Sequence, residues 1–83
     1  MKTRPRKQFG QHWLKSEDAL NQIIEAAELK DSDRVLEIGP GTGILTRRLL
    51  QSAGVVVAVE IDRDLCRTLV QTFGNRENFL LLE

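Results

Sequence analysis

The sequence contains little that could support a disulfide framework, a metal cluster or a membrane span. Its single cysteine, Cys66, excludes an internal disulfide and leaves metal ligation without a cluster, so we interpret it as a small buried apolar residue. No apolar run approaches the roughly 18 residues that a membrane span needs, and the N-terminus lacks the apolar stretch of a signal peptide. We therefore expect a cytoplasmic protein with no metal ion and no membrane partner.

The chain also lacks a net charge, because its 83 residues include 12 basic and 12 acidic ones. The total charge therefore gives no sign of a polyanionic partner, but the distribution is uneven. Every charged residue within 1–15 is basic, and the first acid is Glu17. Segment 1–15 could lie along a phosphate backbone, where contacts give affinity without reading sequence, or it could be a solvated tail. We divide the chain into this basic N-terminal arm and a folded part, 16–83.

Helical and strand patterns alternate from residue 16 onward. A continuous β-branched run such as Val55–Val59 is typical of a strand buried on both faces of a parallel sheet. The alternation predicts an α/β fold with a parallel sheet. The predicted strands cover 34–38, 55–59 and 79–82, and a helix is predicted over 44–52. A first helix is predicted over 16–29, with Ser16 as its N-cap and an apolar face formed by Leu20, Ile23, Ile24 and Ala27. A last helix is predicted to begin at the cap Asp62 and to end at Gly74, with an apolar face formed by Cys66, Leu69, Val70 and Phe73.

A glycine-rich motif, Glu37-Ile-Gly-Pro-Gly-Thr-Gly43, lies where the first strand should pass into the second helix. Glycines here let the backbone turn tightly and approach a ligand, although such turns also occur for structural reasons. Glu60 adds a second signal, because it follows the second strand 19 residues after Gly41, close to the roughly 20-residue separation at which an acid reaches ribose hydroxyls. The alternative for Glu60 is a capping or surface acid, but Asp62 is better placed as the helix cap.

The glycine spacing distinguishes between cofactor classes. Nicotinamide and flavin binding requires the pattern G-x-G-x-x-G, which would place a glycine where this chain has Ile44. The motif Glu37-x-Gly39-x-Gly41-x-Gly43 instead resembles the first motif of class I methyltransferases. This resemblance implies a Rossmann-like fold and S-adenosylmethionine as the cofactor, with Ile61 packed against its adenine ring.

Two further segments resemble one family of such enzymes, the ribosomal RNA adenine dimethyltransferases. They are Phe9-Gly-Gln-His-Trp-Leu14 and Val59-Glu-Ile-Asp-Arg-Asp-Leu65, and the resemblance runs from about Arg6 to the last residue. Asparagine is common in the family at the position of His12, so this chain is a variant there. In isolation, His12 would be interpreted as a surface residue. The cofactor-binding residues that the resemblance implies are His12, Leu14, Gly39, Gly41 and Glu60.

The resemblance implies dimethylation of adenine N6 in small-subunit (16S) ribosomal RNA, with the RNA or the small ribosomal subunit as partner. The family holds its target adenine with an Asn-or-Asp, Leu, Pro, aromatic tetrapeptide after the fourth strand, and the 83 residues contain no such tetrapeptide. We therefore assign no catalytic residue to this chain. We expect it to be the first three strands of a longer, truncated methyltransferase.

Three alternatives stay open at this point. A large-subunit RNA methylase of the antibiotic-resistance type fits the same glycine motif. A noncatalytic nucleic-acid or cofactor-binding module would also keep the motif and the basic arm, and the sequence downstream of Glu83 would distinguish it. An oxidoreductase would copurify with a nicotinamide or flavin that absorbs where S-adenosylmethionine does not.

Overall fold

Three helices and three strands alternate in the computed structural model, which describes residues 16–83. The strands form one parallel sheet in the order β1-β2-β3, which confirms the predicted α/β architecture. The basic arm 1–15, with His12 and Leu14, lies outside the described residues. The elements are α1 (Glu17–Ala27), β1 (Arg34–Ile38), α2 (Ile44–Ser52), β2 (Val55–Val59), α3 (Arg63–Phe73) and β3 (Phe79–Leu82).

Both predicted N-caps are confirmed. The Ser16 hydroxyl accepts a hydrogen bond from the Ala19 amide at 3.3 Å, and Asp62 accepts from two amides at the start of α3 at 2.9 and 3.1 Å. These contacts satisfy amide donors that have no partner inside the helix. The end of α1 differs from the prediction, because Glu28 adopts a left-handed conformation with φ 50°. Leu29 therefore packs against the core from the loop and not from the helix.

One face of the sheet carries the core. Val56 and Ala58 of β2 point to this face and are fully buried. All three helices contribute apolar side chains to it, so the crossover segments lie on the same side of the sheet. The buried cluster consists of Leu49, Leu50, Ala53, Val56, Leu69 and Phe73, with Ile24, Leu29, Val35, Leu45, Phe79 and Leu81 packed around it.

The other face of the sheet is uncovered by the described residues. Leu36 and Ile38 of β1 are 63% and 72% exposed, and Leu80 and Leu82 of β3 are about half exposed. The predicted burial of Val55–Val59 on both faces is not seen within residues 16–83, where one face is bare, as expected for a truncated sheet. The strand alternates between buried and partly exposed residues because helices cover only one side of it.

Two predicted helix faces need correction. Cys66, Leu69 and Phe73 of α3 are buried as predicted, but Val70 is 52% exposed. Val70 is the i+4 residue from Cys66 and lies at the outer edge of the stripe that Leu69 and Phe73 also form, and the described residues leave that edge uncovered. In α1 the corresponding error is Ala27, which is exposed. The predicted C-terminal cap of α3, Gly74, is confirmed, since its amide donates to the Val70 carbonyl at 2.8 Å.

Candidate functional site

The glycine loop, residues 39–43, leaves the sheet at the carboxyl ends of the parallel strands. Ile38 pairs with Val59, and the Gly39 amide donates to the Val59 carbonyl at 2.8 Å, so the pairing of β1 and β2 continues into the loop. The carboxyl edge is where open α/β sheets bind ligands. The loop therefore lies beside the residue that follows β2, which is Glu60.

Glu60 is held against the glycine loop by hydrogen bonds to the backbone. Its Oε1 accepts from the Gly41 amide at 3.2 Å, and its Oε2 accepts from the Asp62 amide at 3.1 Å. The residue is only 7% exposed. Each carboxylate oxygen has two lone pairs, so both oxygens keep the capacity to accept a further hydrogen bond from a ligand. The structure thus places Gly39, Gly41 and Glu60 together, as the sequence predicted.

The glycines of the loop differ in what surrounds them. All three have positive φ, which favours glycine at each position. A Cβ added at Gly41 would meet no heavy atom within 4 Å, whereas a Cβ at Gly43 would lie 2.6 Å from the Phe73 ring. Gly43 is therefore required by the packing of α2 on α3. Gly41 faces open space where a ligand could approach the backbone.

A buried polar pair that the sequence analysis did not identify lies behind the loop. The Thr46 hydroxyl in the first turn of α2 donates to Oε1 of Glu37 in β1 at 2.5 Å. Thr46 is fully buried and Glu37 is 8% exposed. Burial raises the pKa of the Glu37 carboxyl, and the hydrogen bond from Thr46 opposes this rise. The available sequence signal was a carboxylate between the apolar residues Leu36 and Ile38 of a strand.

Two neighbours of Glu60 complete the surroundings of the candidate site. Ile61 is 88% exposed, so its side chain is free to contact a ligand beside Glu60. Cys66 is buried and its thiol donates to the Glu60 carbonyl at 3.3 Å. Burial, assisted by the carboxylates of Glu83, Glu60 and Asp62, raises the pKa of the Cys66 thiol, so the thiol keeps the proton that it donates to the Glu60 carbonyl.

Within residues 16–83, no group of three or more histidine, cysteine, aspartate or glutamate side chains is arranged to hold a metal ion. None of the helices in this part of the chain has the length and apolar character needed to cross a bilayer.

Comparison with known proteins relates this chain to methyltransferases. A model of the family described as "Ribosomal RNA adenine dimethylase" matches residues 2–82. Proteins named "Ribosomal RNA small subunit methyltransferase A" from Rippkaea orientalis and from a Nostoc strain are 70% and 66% identical over 95% and 96% of this chain. The chain spans only 29% and 30% of the length of these two relatives.

Solved structures show the same relationship. A dimethyladenosine transferase from Plasmodium falciparum matches 82% of this chain with a TM-score of 0.75 and 37% identity, and the match covers 26% of that protein. The 23S rRNA methyltransferase ErmE matches 81% of this chain with a TM-score of 0.73 and 36% identity, over 28% of its own length. The fold is thus that of the Rossmann-like class I methyltransferases. Together with the family model over nearly the whole sequence, this similarity shows that the chain belongs to the ribosomal RNA adenine dimethylase family.

Proposed function

We propose that this chain forms the cofactor-binding part of an enzyme that uses S-adenosylmethionine to dimethylate adenine N6 in small-subunit ribosomal RNA. The observation that carries the proposal is the Glu60 carboxylate, which two backbone amides hold in place beside the glycine loop. A carboxylate fixed in this way can accept hydrogen bonds from two neighbouring ribose hydroxyls without first losing side-chain freedom.

The described residues fit the parts of this cofactor. Glu60 would bind the ribose, the open space above Gly41 would admit the methionine end close to the backbone, and the exposed Ile61 would pack against the adenine ring. Gly39 would take part through the backbone of the same loop. His12 and Leu14, which lie outside the described residues, are proposed as further contacts on the basis of the family resemblance.

The contribution of this chain to the reaction is to bind and orient. S-adenosylmethionine, when bound, supplies a methyl group on a sulfonium sulfur that a nitrogen can attack directly. Such a transfer depends mainly on the alignment of the reacting atoms, so a rigid acceptor such as Glu60 contributes by fixing one reactant. We propose that the basic arm 1–15 contacts RNA phosphates. With ribosomal RNA as the proposed substrate, we also propose a cytoplasmic location.

Small-subunit RNA is proposed over large-subunit RNA because of the curated relatives. Eight of them, at 59–70% identity, carry the small-subunit name. The structural matches do not discriminate, since the dimethyladenosine transferase and the 23S rRNA enzyme are equally similar to this chain. The test uses a chimera in which this chain replaces the segment that it matches in the Rippkaea orientalis relative. We expect the chimera to form dimethyladenine in small-subunit RNA, and a folded chimera that forms none would contradict the proposal.

The role of Glu60 is tested by a thermodynamic cycle in which one change is made to the protein and one to the ligand, separately and together. Calorimetry measures the affinity of the chimera and of its Glu60→Gln variant for S-adenosylhomocysteine and for the analogue that lacks the ribose 2′-hydroxyl. A hydrogen bond to a charged group contributes about 1.5–3 kcal/mol, so loss of the hydroxyl should weaken binding by the wild-type chimera roughly 10- to 100-fold. In the variant, the same loss should cost much less.

The cycle separates the ribose contact from the support that Glu60 gives to the loop. If Glu60→Gln only loosened the Gly41 backbone, both ligands would lose affinity by the same factor. That result would exclude Glu60 as the ribose acceptor. Glu77→Gln, at an exposed acid in the turn before β3, serves as the matched control and should leave both affinities unchanged.

A further inference from the structure

The hydrogen bond between Glu37 and Thr46 connects the two ends of the glycine loop. Glu37 is the residue before the last in β1, and Thr46 is the third residue of α2, so residues 39–43 lie between the two partners. Both side chains lie under the loop on the core side of the sheet. The bond therefore fixes the distance between the end of the strand and the start of the helix.

The surroundings of Glu37 do not favour a polar pair on the ground of stability. In the sheet Glu37 lies beside Ala58, which in turn lies beside Leu81, so its row is otherwise apolar. Burial of a carboxyl group costs free energy, and replacement of a buried polar pair by apolar side chains of similar volume is often neutral or stabilising. A role in specifying geometry accounts for a pair that packing alone would not favour.

The loop has other fixed points, and the pair complements them. Gly39 is held to β2, the Gly43 amide closes a turn onto the Pro40 carbonyl at 3.0 Å, and Gly41 is held by Glu60. These contacts fix the two strands relative to each other and fix the shape of the turn. The Glu37–Thr46 bond adds what they lack, a direct side-chain connection between β1 and α2.

We propose that Glu37 and Thr46 are positioning residues that hold the glycine loop in its cofactor-binding shape. This inference rests on the proposed function, because it concerns the affinity of the same site. Neither residue is required to touch the cofactor. Their loss should change the affinity of the folded protein and leave its stability nearly the same.

The test compares binding and stability in three variants of the chimera. Thr46→Val removes the hydroxyl with little change of volume, and the pair Glu37→Leu with Thr46→Val makes the contact apolar. Thr46→Ser keeps the hydroxyl and should restore binding. Thr72→Val is the matched control, because its exposed hydroxyl bonds only to the Thr68 carbonyl of its own helix. Thermal unfolding, calorimetry with S-adenosylhomocysteine and amide hydrogen exchange at residues 41–43 are measured for each.

We expect the apolar pair to unfold at the wild-type temperature or above it, and to bind roughly 3- to 10-fold more weakly, a loss equivalent to the net contribution of about one hydrogen bond. Exchange at residues 41–43 should be faster in this variant, and Thr72→Val should behave as wild type. If the apolar pair folds and binds as tightly as wild type, the positioning role is wrong. If the wild-type chimera itself does not bind S-adenosylhomocysteine, the proposed function is wrong instead.

Discussion

Alanine at Gly41 and at Gly43 separates the ligand-facing part of the glycine loop from its packed end. Both residues have positive φ, 61° and 89°, so alanine at either position costs roughly 1–2 kcal/mol of backbone strain. The two differ in their surroundings. A methyl group at Gly43 would overlap the Phe73 ring, and overpacking of a core adds about 1–3 kcal/mol.

These magnitudes predict opposite orders for stability and for binding. Gly43→Ala should lose about 2–5 kcal/mol of stability, and Gly41→Ala about 1–2 kcal/mol. For cofactor affinity we expect the larger loss at Gly41, by more than roughly tenfold or about 1.4 kcal/mol, because its methyl group would occupy the open space beside the loop. Gly41→Val should have a larger effect on affinity than Gly41→Ala.

The assay is a melting temperature and a calorimetric dissociation constant for S-adenosylhomocysteine, both measured on the chimera. Residual folded Gly43→Ala protein should bind with near-normal affinity. If Gly41→Ala unfolds as easily as Gly43→Ala and its folded fraction binds normally, Gly41 is a structural glycine. The proposal that the ligand occupies the open space beside Gly41 would then be wrong.

Three further predictions address other features. Ile61→Ser should weaken cofactor binding without lowering the melting temperature, since the side chain is 88% exposed; equal affinity in calorimetry would remove its proposed adenine contact. Burial raises the pKa of Glu37 above its ordinary value of 4.5, so the folded state binds more protons and the free energy of unfolding falls as pH rises above about 4.5. Urea denaturation across that range should show a smaller fall for Glu37→Gln, which does not titrate, and identical slopes would contradict the assignment. The chain of 83 residues alone should self-associate through its uncovered sheet face, and Leu36→Asp with Ile38→Asp should shift sedimentation toward monomer; a wild-type monomer with a cooperative melt would refute this.

Local signals were sufficient to predict most of the elements. Capping residues such as Ser16 and Asp62 bind amides within three residues along the chain. A strand of β-branched residues can be recognised from a run of five residues. The contact between Glu60 and Gly41 was also predictable, because parallel strands joined by one helix bring their carboxyl ends to the same edge.

The errors and omissions concern which side of an element faces the core. The burial of Val55–Val59 on one face depends on where every helix packs, which the strand itself does not encode. To predict the hydrogen bond between Glu37 and Thr46, one would need to know both the direction of the Glu37 side chain and the rotation of α2 around its axis. Neither can be read from the glycine motif that separates the two residues.

The two buried glutamates at this edge illustrate how partner chemistry can assign different roles to the same side chain. Glu60 accepts hydrogen bonds from two backbone amides, and side-chain substitutions at the donor residues leave these amides in place. The two bonds hold the carboxylate in an orientation in which it can accept further hydrogen bonds. Glu37 accepts from a single hydroxyl, on the core side of the sheet and beside apolar neighbours, so it can connect elements of the protein but is poorly placed to meet a ligand. Substitution at Glu60 should therefore change which ligands bind, because ligand hydroxyls lose their acceptor. Substitution at Glu37 should change how tightly all of them bind, because the loop that receives them changes shape.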